Sequence, residues 1–211
     1  MVLISAPASG KEERSVLKYF VLTLCLLSQT CEATDWLSQT ASSKLAYSVN
    51  FEQSPIDGLF EQFTVVCKTA PDESPQQLIV TVDIASVDMG NSDINEAIRD
   101  SDWFDVSHHA RATFTSSSIE KGQDGIYLAS GALQLKGVTQ PVSVPFSWQP
   151  LADQPGVMVM NGQVILNRID FLIGMGDWAS GDEIGLIVTV DFALTLTSVN
   201  IENGLKNKTE E

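Results

Sequence analysis

The segment Glu183–Thr197 reads EIGLIVTVDFALTLT, and its pattern decides the fold class. Every second residue from Ile184 to Leu196 is large and apolar, whereas the residues between them are mainly small or polar. Successive strand residues point to opposite faces of a sheet, so this period of two predicts one long β-strand with an apolar face. The strand far exceeds the usual length of about 5–6 residues. Such a length favours a coiled, closed sheet over a flat, open one.

Seven shorter segments upstream have the β-branched and aromatic residues of further strands. They are Leu45–Phe51, Leu59–Cys67, Leu78–Ile84, Ala112–Ile119, Ile126–Leu135, Val138–Trp148 and Val157–Asn167. The residues before the first are predicted as a lead-in, Ser54–Gly58 as a turn and Lys136-Gly137 as a hairpin turn. Pro145 lacks a backbone donor, which predicts an edge or a loosely paired seam. About eight meandering strands form a closed barrel or a sandwich. The long last strand favours an all-β, antiparallel eight-stranded barrel.

The strand pattern breaks between Ser86 and Ala110. Asn91 or Ser92 can cap a short helix there. Trp103 and Phe104 follow this helix between two acidic residues. We expect this single helical insertion to be a lid or plug, packed by its two rings against an open end of the sheet.

Residues 1–33 have the layout of a secretory signal. Lys11, Arg14 and Lys18 flank or enter an apolar run that is shorter than the ~20 residues of a membrane span. Cleavage is expected after Ala33, with a retained membrane anchor as the alternative. The remaining chain divides into a barrel domain, 34–199, and a polar, flexible tail, 200–211. Cys25 and Cys31 leave with the leader, so Cys67 is expected as a lone, buried thiol.

The charge restricts the choice of partners. The net charge is −15 at pH 7, and the leader contributes nothing to it, with three basic and three acidic residues. Phosphate-binding surfaces need clusters of Lys and Arg, so nucleic acid is not an expected partner. Charge-driven binding to an anionic membrane is disfavoured for the same reason.

A catalytic set is not apparent in the sequence. His108 and His109 are its two histidines, and they either lie in a solvated loop or converge with Asp102 or Asp105 on a metal. The chain contains no Gly-x-Ser-x-Gly motif and no phosphate-binding Gly loop. The sequence therefore predicts neither a metal nor a cofactor, and a protein that is not an enzyme.

The aromatic residues of the strands either fill the barrel or line an elongated apolar cavity. The pattern alone leaves both interpretations open. The residues concerned are Phe51, Phe60, Phe63, Phe114, Phe146, Trp148, Phe171 and Phe192.

Several short motifs stand in a characteristic order. They are Gly58-x-Phe60-x-x-Phe63, Ser86-Val87-Asp88-Met89-Gly90, Arg99-Asp100 with Trp103-Phe104-Asp105, Ala112-Thr113-Phe114, the run from Gly131 to Val142, and Arg168-x-Asp170-Phe171-x-Ile173-Gly174. In this order and spacing the chain resembles the YceI family over roughly Trp36–Thr197. The resemblance implies an extended, lipocalin-like barrel in the bacterial periplasm. Its lumen would hold a polyisoprenoid chain, such as that of an isoprenoid quinone, for transport or storage.

The leading hypothesis is therefore a periplasmic lipid carrier. The strand aromatics would line the lumen, and Trp103 and Phe104 would gate its mouth. Arg99, Arg111 and Arg168 are the candidate contacts for an anionic head group. A non-catalytic structural or stress-related module with a filled barrel, acting through its acidic surface, is the second hypothesis. An enzyme using His108 and His109 is the third, and a homodimer stays open.

Overall fold

The computed structural model of the chain describes residues 33–199. Residues 1–32 of the predicted leader, 1–33, and the whole predicted tail, 200–211, lie outside the described residues. Within this range there are eleven β-strands and one α-helix, and no helix is long and apolar enough to cross a membrane. Their bounds are β1 Thr34–Ser38, β2 Lys44–Phe51, β3 Ser54–Phe60, β4 Phe63–Thr69, β5 Pro75–Asp83, β6 Val87–Asp88, α1 Ser92–Ala97, β7 Arg111–Lys121, β8 Tyr127–Leu135, β9 Val138–Pro150, β10 Val157–Asn167 and β11 Ile184–Val199.

The described strands close into an antiparallel barrel. Hydrogen bonding runs in the order β1, β4, β5, β7, β8, β9, β10 and β11, and β11 pairs again with β1. The other three strands extend the wall from β11 at one end, in the order β2, β3 and β6. Because β2, β4 and β6 each continue the strand before them after a short interruption, the wall is eight strands around. The predicted eight-stranded, all-β barrel is confirmed.

The long strand predicted from the alternating segment is β11. One edge of β11 pairs with β10 without interruption, from Val157 opposite Thr197 to Asn167 opposite Ile187. Its other edge pairs with β1 near the C-terminal end and with β2 further back. Both edges are therefore satisfied by hydrogen bonds, as barrel closure requires.

Two predictions for the N-terminal half are wrong. The lead-in contains a strand, β1, and Ser54–Gly58, predicted as a turn, belongs to β3. The turn falls at Glu52 and Gln53, whose φ angles are +46° and +69°. A two-residue hairpin turn with both φ angles positive fits the twist of the flanking strands. Pro55 favours a turn when the sequence is considered alone, but β3 continues through it.

Pro145 lies at a seam of the barrel. The pairing between β9 and β10 stops at Phe146 opposite Gly162, next to Pro145. On its other edge β9 pairs with β8 from Val138 to Phe146, so β9 is not an edge strand. A proline cannot donate to a ladder, which explains why the seam opens here. The hairpin turn at Lys136 and Gly137 is also present, with φ angles of +47° and +74°.

One half of the barrel interior is filled by side chains. In this filled half Trp36 and Trp148 meet edge to face at 5.8 Å, and Tyr127 stacks on Phe146 at 5.6 Å. The indole of Trp36 donates to the Thr69 hydroxyl at 3.1 Å, and that of Trp148 to the Glu73 carbonyl oxygen at 3.0 Å. These bonds satisfy the polar ends of the two largest rings, so the half packs as a dry core.

Cys67 lies in this filled half and is fully buried, as expected. Burial, reinforced by the charge of Asp35, raises the pKa of its thiol to about 12. An unfolded thiol ionises near pH ~8.5. Between these values the unfolded state has released the proton and the folded state has kept it, so stability falls as pH rises.

We expect the free energy of unfolding to decrease from about pH 9 to pH 12 by up to ~1.4 kcal/mol per pH unit through Cys67. Cys67→Ala should remove this part of the slope. Urea unfolding at a series of pH values measures both proteins. Parallel pH profiles for the two would contradict the assignment.

Candidate functional site

The other half of the barrel contains a cavity of about 210 Å³. Its wall presents apolar atoms alone. An engineered cavity of about 150 Å³ lined by Leu, Ile and Phe stays dry and binds benzene. The larger cavity is therefore suited to an apolar group of several carbons. From β11 alone it is lined by Ile184, Val188, Val190, Phe192 and Leu194.

The alternation of β11 explains which of its residues line the cavity. Val188, Val190 and Phe192 point inward and are only partly buried, because they face open space. Leu196 has the same orientation but lies in the filled half, where it is fully buried. The pairing with β2 is irregular between Ile184 and Val188, and Leu186 within this bulge packs against the loop before β11 instead.

Most of the predicted aromatic residues line the cavity. Seven of the ten do so: Phe60, Phe63, Trp103, Phe104, Phe114, Phe171 and Phe192. The other three do not, which corrects the prediction. Phe51 lies at the end of β2 and is 39% exposed, whereas Phe146 and Trp148 belong to the filled half. Alternation identifies inward-facing residues but not how far along the barrel axis the interior stays open.

Residues 89–110, between β6 and β7, form a lid over the cavity. Trp103 and Phe104 of this lid point into the cavity, as the sequence suggests. Phe104 meets Phe60 of the wall edge to face at 6.1 Å, and Trp103 lies 6.0 Å from Trp178. The Gly174 amide donates to the Asp102 carbonyl oxygen at 2.8 Å. The lid is thus attached both to the wall and to the loop that precedes β11.

The buried side chain of Arg168 stabilises the loop that precedes β11 through hydrogen bonds. Its side chain is 3% exposed, and its guanidinium lies over the ring of Trp103 at 5.6 Å. Burial lowers the pKa of Arg168. A guanidinium has five N–H donors, and all five are used by backbone carbonyl oxygens. The acceptors are Gly185 at 3.0 Å, Ile173 at 2.8 Å, Gly174 at 2.6 Å, Ile184 at 2.8 Å and Trp178.

The three predicted arginines do not converge on a head-group site. Arg168 has no donor left for a ligand. Arg99 is exposed and donates to the Val87 carbonyl oxygen at 3.2 Å. Arg111 is exposed on the outer face of β7, opposite Asp83 of β5, because its neighbour Ala112 faces the cavity. The prediction of a head-group contact is therefore corrected for Arg168 and Arg111, and for Arg99 it stays a prediction.

The segments around the mouth are acidic instead. Residues 88–105 contain six Asp or Glu and one basic residue, Arg99. Residues 170–183 contain four Asp or Glu and no Lys or Arg. Lys136 reaches this region, but its ammonium donates to the Leu172 carbonyl oxygen at 2.8 Å.

The two histidines lie apart from the cavity wall. His108 is 76% exposed, and its Nδ1 is 2.8 Å from the Asp105 carboxylate, which raises the pKa of His108. His109 packs against Gly137 of the β8–β9 turn. Among residues 33–199 no three His, Cys, Asp or Glu side chains are placed to hold a metal.

Tyr47 is a candidate that the sequence analysis did not single out. Its side chain is 6% exposed and forms part of the cavity wall. Its hydroxyl has no hydrogen-bond partner among the described residues. Leaving a buried polar group unpaired costs about 1–3 kcal/mol, and the hydroxyl exposes no surface to the cavity. The strand pattern gave no signal beyond placing Tyr47 on the inner face.

Comparison with known proteins identifies the family. The family described as YceI-like domain matches residues 36–196. The chain belongs to the YceI-like family. The resemblance seen in the motifs is thereby confirmed.

The relatives of this YceI-like chain include bacterial UPF0312 proteins. A UPF0312 protein of Ectopseudomonas mendocina is 36% identical over 75 residues, which are 36% of this chain and 39% of that protein, less than two thirds of its length. A UPF0312 protein of Shewanella sp. (strain W3-18-1) is 27% identical over 63% of this chain and 71% of its own.

Two solved structures share the fold. Burkholderia cenocepacia BcnA superposes with a TM-score of 0.69 and 28% identity, over 75% of this chain and 98% of that one. A polyisoprenoid binding domain from Saccharophagus degradans superposes with a TM-score of 0.64 and 16% identity, over 78% and 98% of the two chains. The second similarity concerns the fold alone.

The YceI-like barrel has a filled and a hollow half, so replacing a phenylalanine by alanine should lower the free energy of unfolding by different amounts in the two halves. Phe146→Ala should lower the free energy of unfolding by about 3–5 kcal/mol. Phe192→Ala should cost about half as much, because one side of that ring already lacks packing partners. Urea unfolding of lipid-extracted protein compares them. Equal losses would indicate that the cavity is packed in solution.

Arg168 should be structural rather than ligand-binding. Arg168→Met leaves five carbonyl oxygens without their donor and should lower the free energy of unfolding by about 3–5 kcal/mol. Arg111→Met, the control on the outer face, should change it by less than about 0.5 kcal/mol. Limited proteolysis should show cleavage within residues 172–183 in the first variant alone. A stable, protease-resistant Arg168→Met protein would contradict this role.

Proposed function

We propose that this YceI-like protein binds the hydrocarbon chain of an isoprenoid lipid in its cavity and carries or stores that lipid in the periplasm. The observation that carries the proposal is the apolar cavity of about 210 Å³ beneath the lid. The name of the Saccharophagus degradans domain, which shares the fold, describes it as polyisoprenoid binding. The leader predicted for residues 1–33 supports the proposed location.

The physical basis is the removal of hydrocarbon from water. Each Å² of apolar surface transferred into such a cavity contributes about 25 cal/mol. The wall offers no polar atom, so it favours a hydrocarbon chain and disfavours a buried head group. The chain would occupy the hollow half, and the filled half would set the depth that it reaches.

The same wall argues against catalysis. General acid–base or nucleophilic chemistry needs a polar side chain within hydrogen-bond reach of the reacting atom. The cavity exposes none, the donors of Arg168 are bonded to the backbone, and His108 is paired with Asp105 on the exposed side of the lid. A barrel filled throughout, the alternative from the sequence, does not account for the hollow half. We therefore favour binding without turnover.

The test combines lipid identification with a variant that fills the cavity. Solvent extraction of the purified protein followed by mass spectrometry should recover an isoprenoid lipid, and the extracted protein should take up an added isoprenoid quinone. Val190→Trp places a large ring inside the barrel and should lower uptake by at least about tenfold. Uptake is measured by quenching of the intrinsic tryptophan fluorescence.

Ile187→Trp is the matched control for this experiment. Ile187 lies on the same strand, but it is on the outer face and 56% exposed. The same ring added there should leave uptake unchanged. Recovery of no lipid together with no uptake by the unsubstituted protein would overturn the proposal.

A further inference from the structure

The barrel wall has a gap in its hollow half, between β9 and β10. The pairing of these two strands ends at Phe146 opposite Gly162. Beyond this pair each strand keeps its other neighbour, because β9 still pairs with β8 and β10 with β11. Residues 138–145 of β9 and residues 163–167 of β10 therefore border a part of the wall that no described strand completes.

Two prolines keep the gap from closing into a ladder. Val138 directly follows a two-residue turn, so Val138 and every second residue after it bond to β8. The backbone groups of the four residues between them, 139, 141, 143 and 145, point towards the gap. Pro141 and Pro145 are two of these four, and neither has an N–H to donate. Half of the donors that a ladder with β10 would need are therefore missing.

The gap leads into the cavity. Val142 and Val144 of β9 line the cavity on one side of it, and Val164 and Leu166 of β10 line it on the other. On the outer face of β10, Ile165 beside the gap is 63% exposed. A hydrocarbon chain that passed between the two strands would thus meet apolar side chains both inside the barrel and at the outer edge of the gap.

One turn covers the gap at the end of the barrel. The 3₁₀ turn Arg168–Phe171 follows β10 and packs against β9, and we call residues 169–172 the gate turn. Gln140 Nε2 donates to the Asp170 carbonyl oxygen at 3.0 Å, and Lys136 Nζ donates to that of Leu172 at 2.8 Å; both hydrogen bonds are exposed.

The backbone of the gate turn is strained at its last residue. Leu172 has a φ angle of +56° and a side chain that is 50% exposed. A positive φ angle is unfavourable for a bulky residue. The gate turn is therefore joined to the β8–β9 hairpin by side-chain hydrogen bonds instead of a ladder, and it contains a residue whose strain is relieved when the turn moves.

The lid is attached more firmly than the gate turn. The guanidinium of Arg168 lies over the Trp103 ring, Phe104 packs edge to face on the wall, and the Asp102 carbonyl oxygen accepts from the Gly174 amide. Opening the lid would break these contacts together and expose two large rings to water. Opening at the gate turn breaks two exposed hydrogen bonds, which water can replace.

Resting on the proposed function, we propose that the hydrocarbon chain of the lipid enters and leaves the cavity sideways, through the gap between β9 and β10. The gate turn separates from β9 when the hydrogen bonds of Lys136 and Gln140 break, and the lid stays closed. The aromatic rings of the lid remain covered while the lipid passes.

Cross-links that close one route at a time test this path. Gln140→Cys with Asp170→Cys places one thiol on each side of the gate turn contact. Asp102→Cys with Met175→Cys places one thiol on the lid and one on the loop that precedes β11. A short bismaleimide joins each pair, and the same double-cysteine protein alkylated without cross-linking is the reference for each.

The measurement is the rate of uptake. A benzoquinone with a geranyl tail is mixed with lipid-extracted protein, and tryptophan fluorescence is followed by stopped flow. The gate cross-link should lower the association and dissociation rate constants at least about tenfold each, with Kd unchanged, and the lid cross-link should change neither. Cys67 is fully buried and escapes the maleimide, and Cys25 and Cys31 are replaced by serine throughout.

Removing the two hydrogen bonds is the converse experiment. Lys136→Met combined with Gln140→Met should raise both rate constants several-fold and leave Kd unchanged, because a gate alters the barrier and not the bound state. Ser147→Ala is the matched control. The Ser147 hydroxyl donates to the Asn161 carbonyl oxygen at 3.3 Å across the same two strands, where the ladder is complete. Its loss should leave both rate constants unchanged.

The outcomes distinguish this inference from the proposed function. If the unsubstituted protein does not bind the quinone, the proposed function itself fails. If it binds, but the lid cross-link slows uptake as much as the gate cross-link or neither slows it, the sideways path is wrong and lipid binding stands. Unchanged rate constants in the Lys136→Met, Gln140→Met protein would likewise show that the gate turn does not control entry.

Discussion

The structure depends on the hydrogen bonding of β11 along both of its edges. One edge pairs with β10 and the other with β1 and β2, and this closes the sheet into a barrel. Closure forces every inward-facing side chain into a common interior away from water. The alternation of β11 from Val188 to Leu196 follows from this, because a slip of one residue would turn its apolar set to solvent.

A closed sheet does not by itself determine whether its interior is full. In one half, tryptophan, tyrosine and phenylalanine rings from facing strands meet and fill the space. In the other half the inward residues are mainly Val, Leu and Ile, which leave a cavity between opposite walls. The filled half can supply the stability that lets the hollow half remain open, since an unfilled cavity costs packing energy.

The lid and the loop that cover the cavity depend on one buried charged side chain, that of Arg168. Arg168 donates hydrogen bonds to backbone carbonyl oxygens in three segments of the chain between Ile173 and Gly185. Ile173, Gly174 and Trp178 lie outside the strands, so their carbonyls need another donor. The guanidinium supplies it and at the same time packs on Trp103 of the lid. The loop and the lid are thus connected through one side chain, which is therefore unavailable to a ligand.

The sequence by itself determined the barrel, its long last strand, the helical insertion and the family. These are local patterns, namely a period of two, a capped turn of helix and an ordered set of motifs. The tertiary structure alone decided that Phe146 and Trp148 fill the barrel while Phe192 lines a cavity, and that Arg168 is bonded to the backbone. It also left the hydroxyl of Tyr47 unpaired. Such features depend on what lies across the barrel, and alternation along one strand carries no information about the opposite wall.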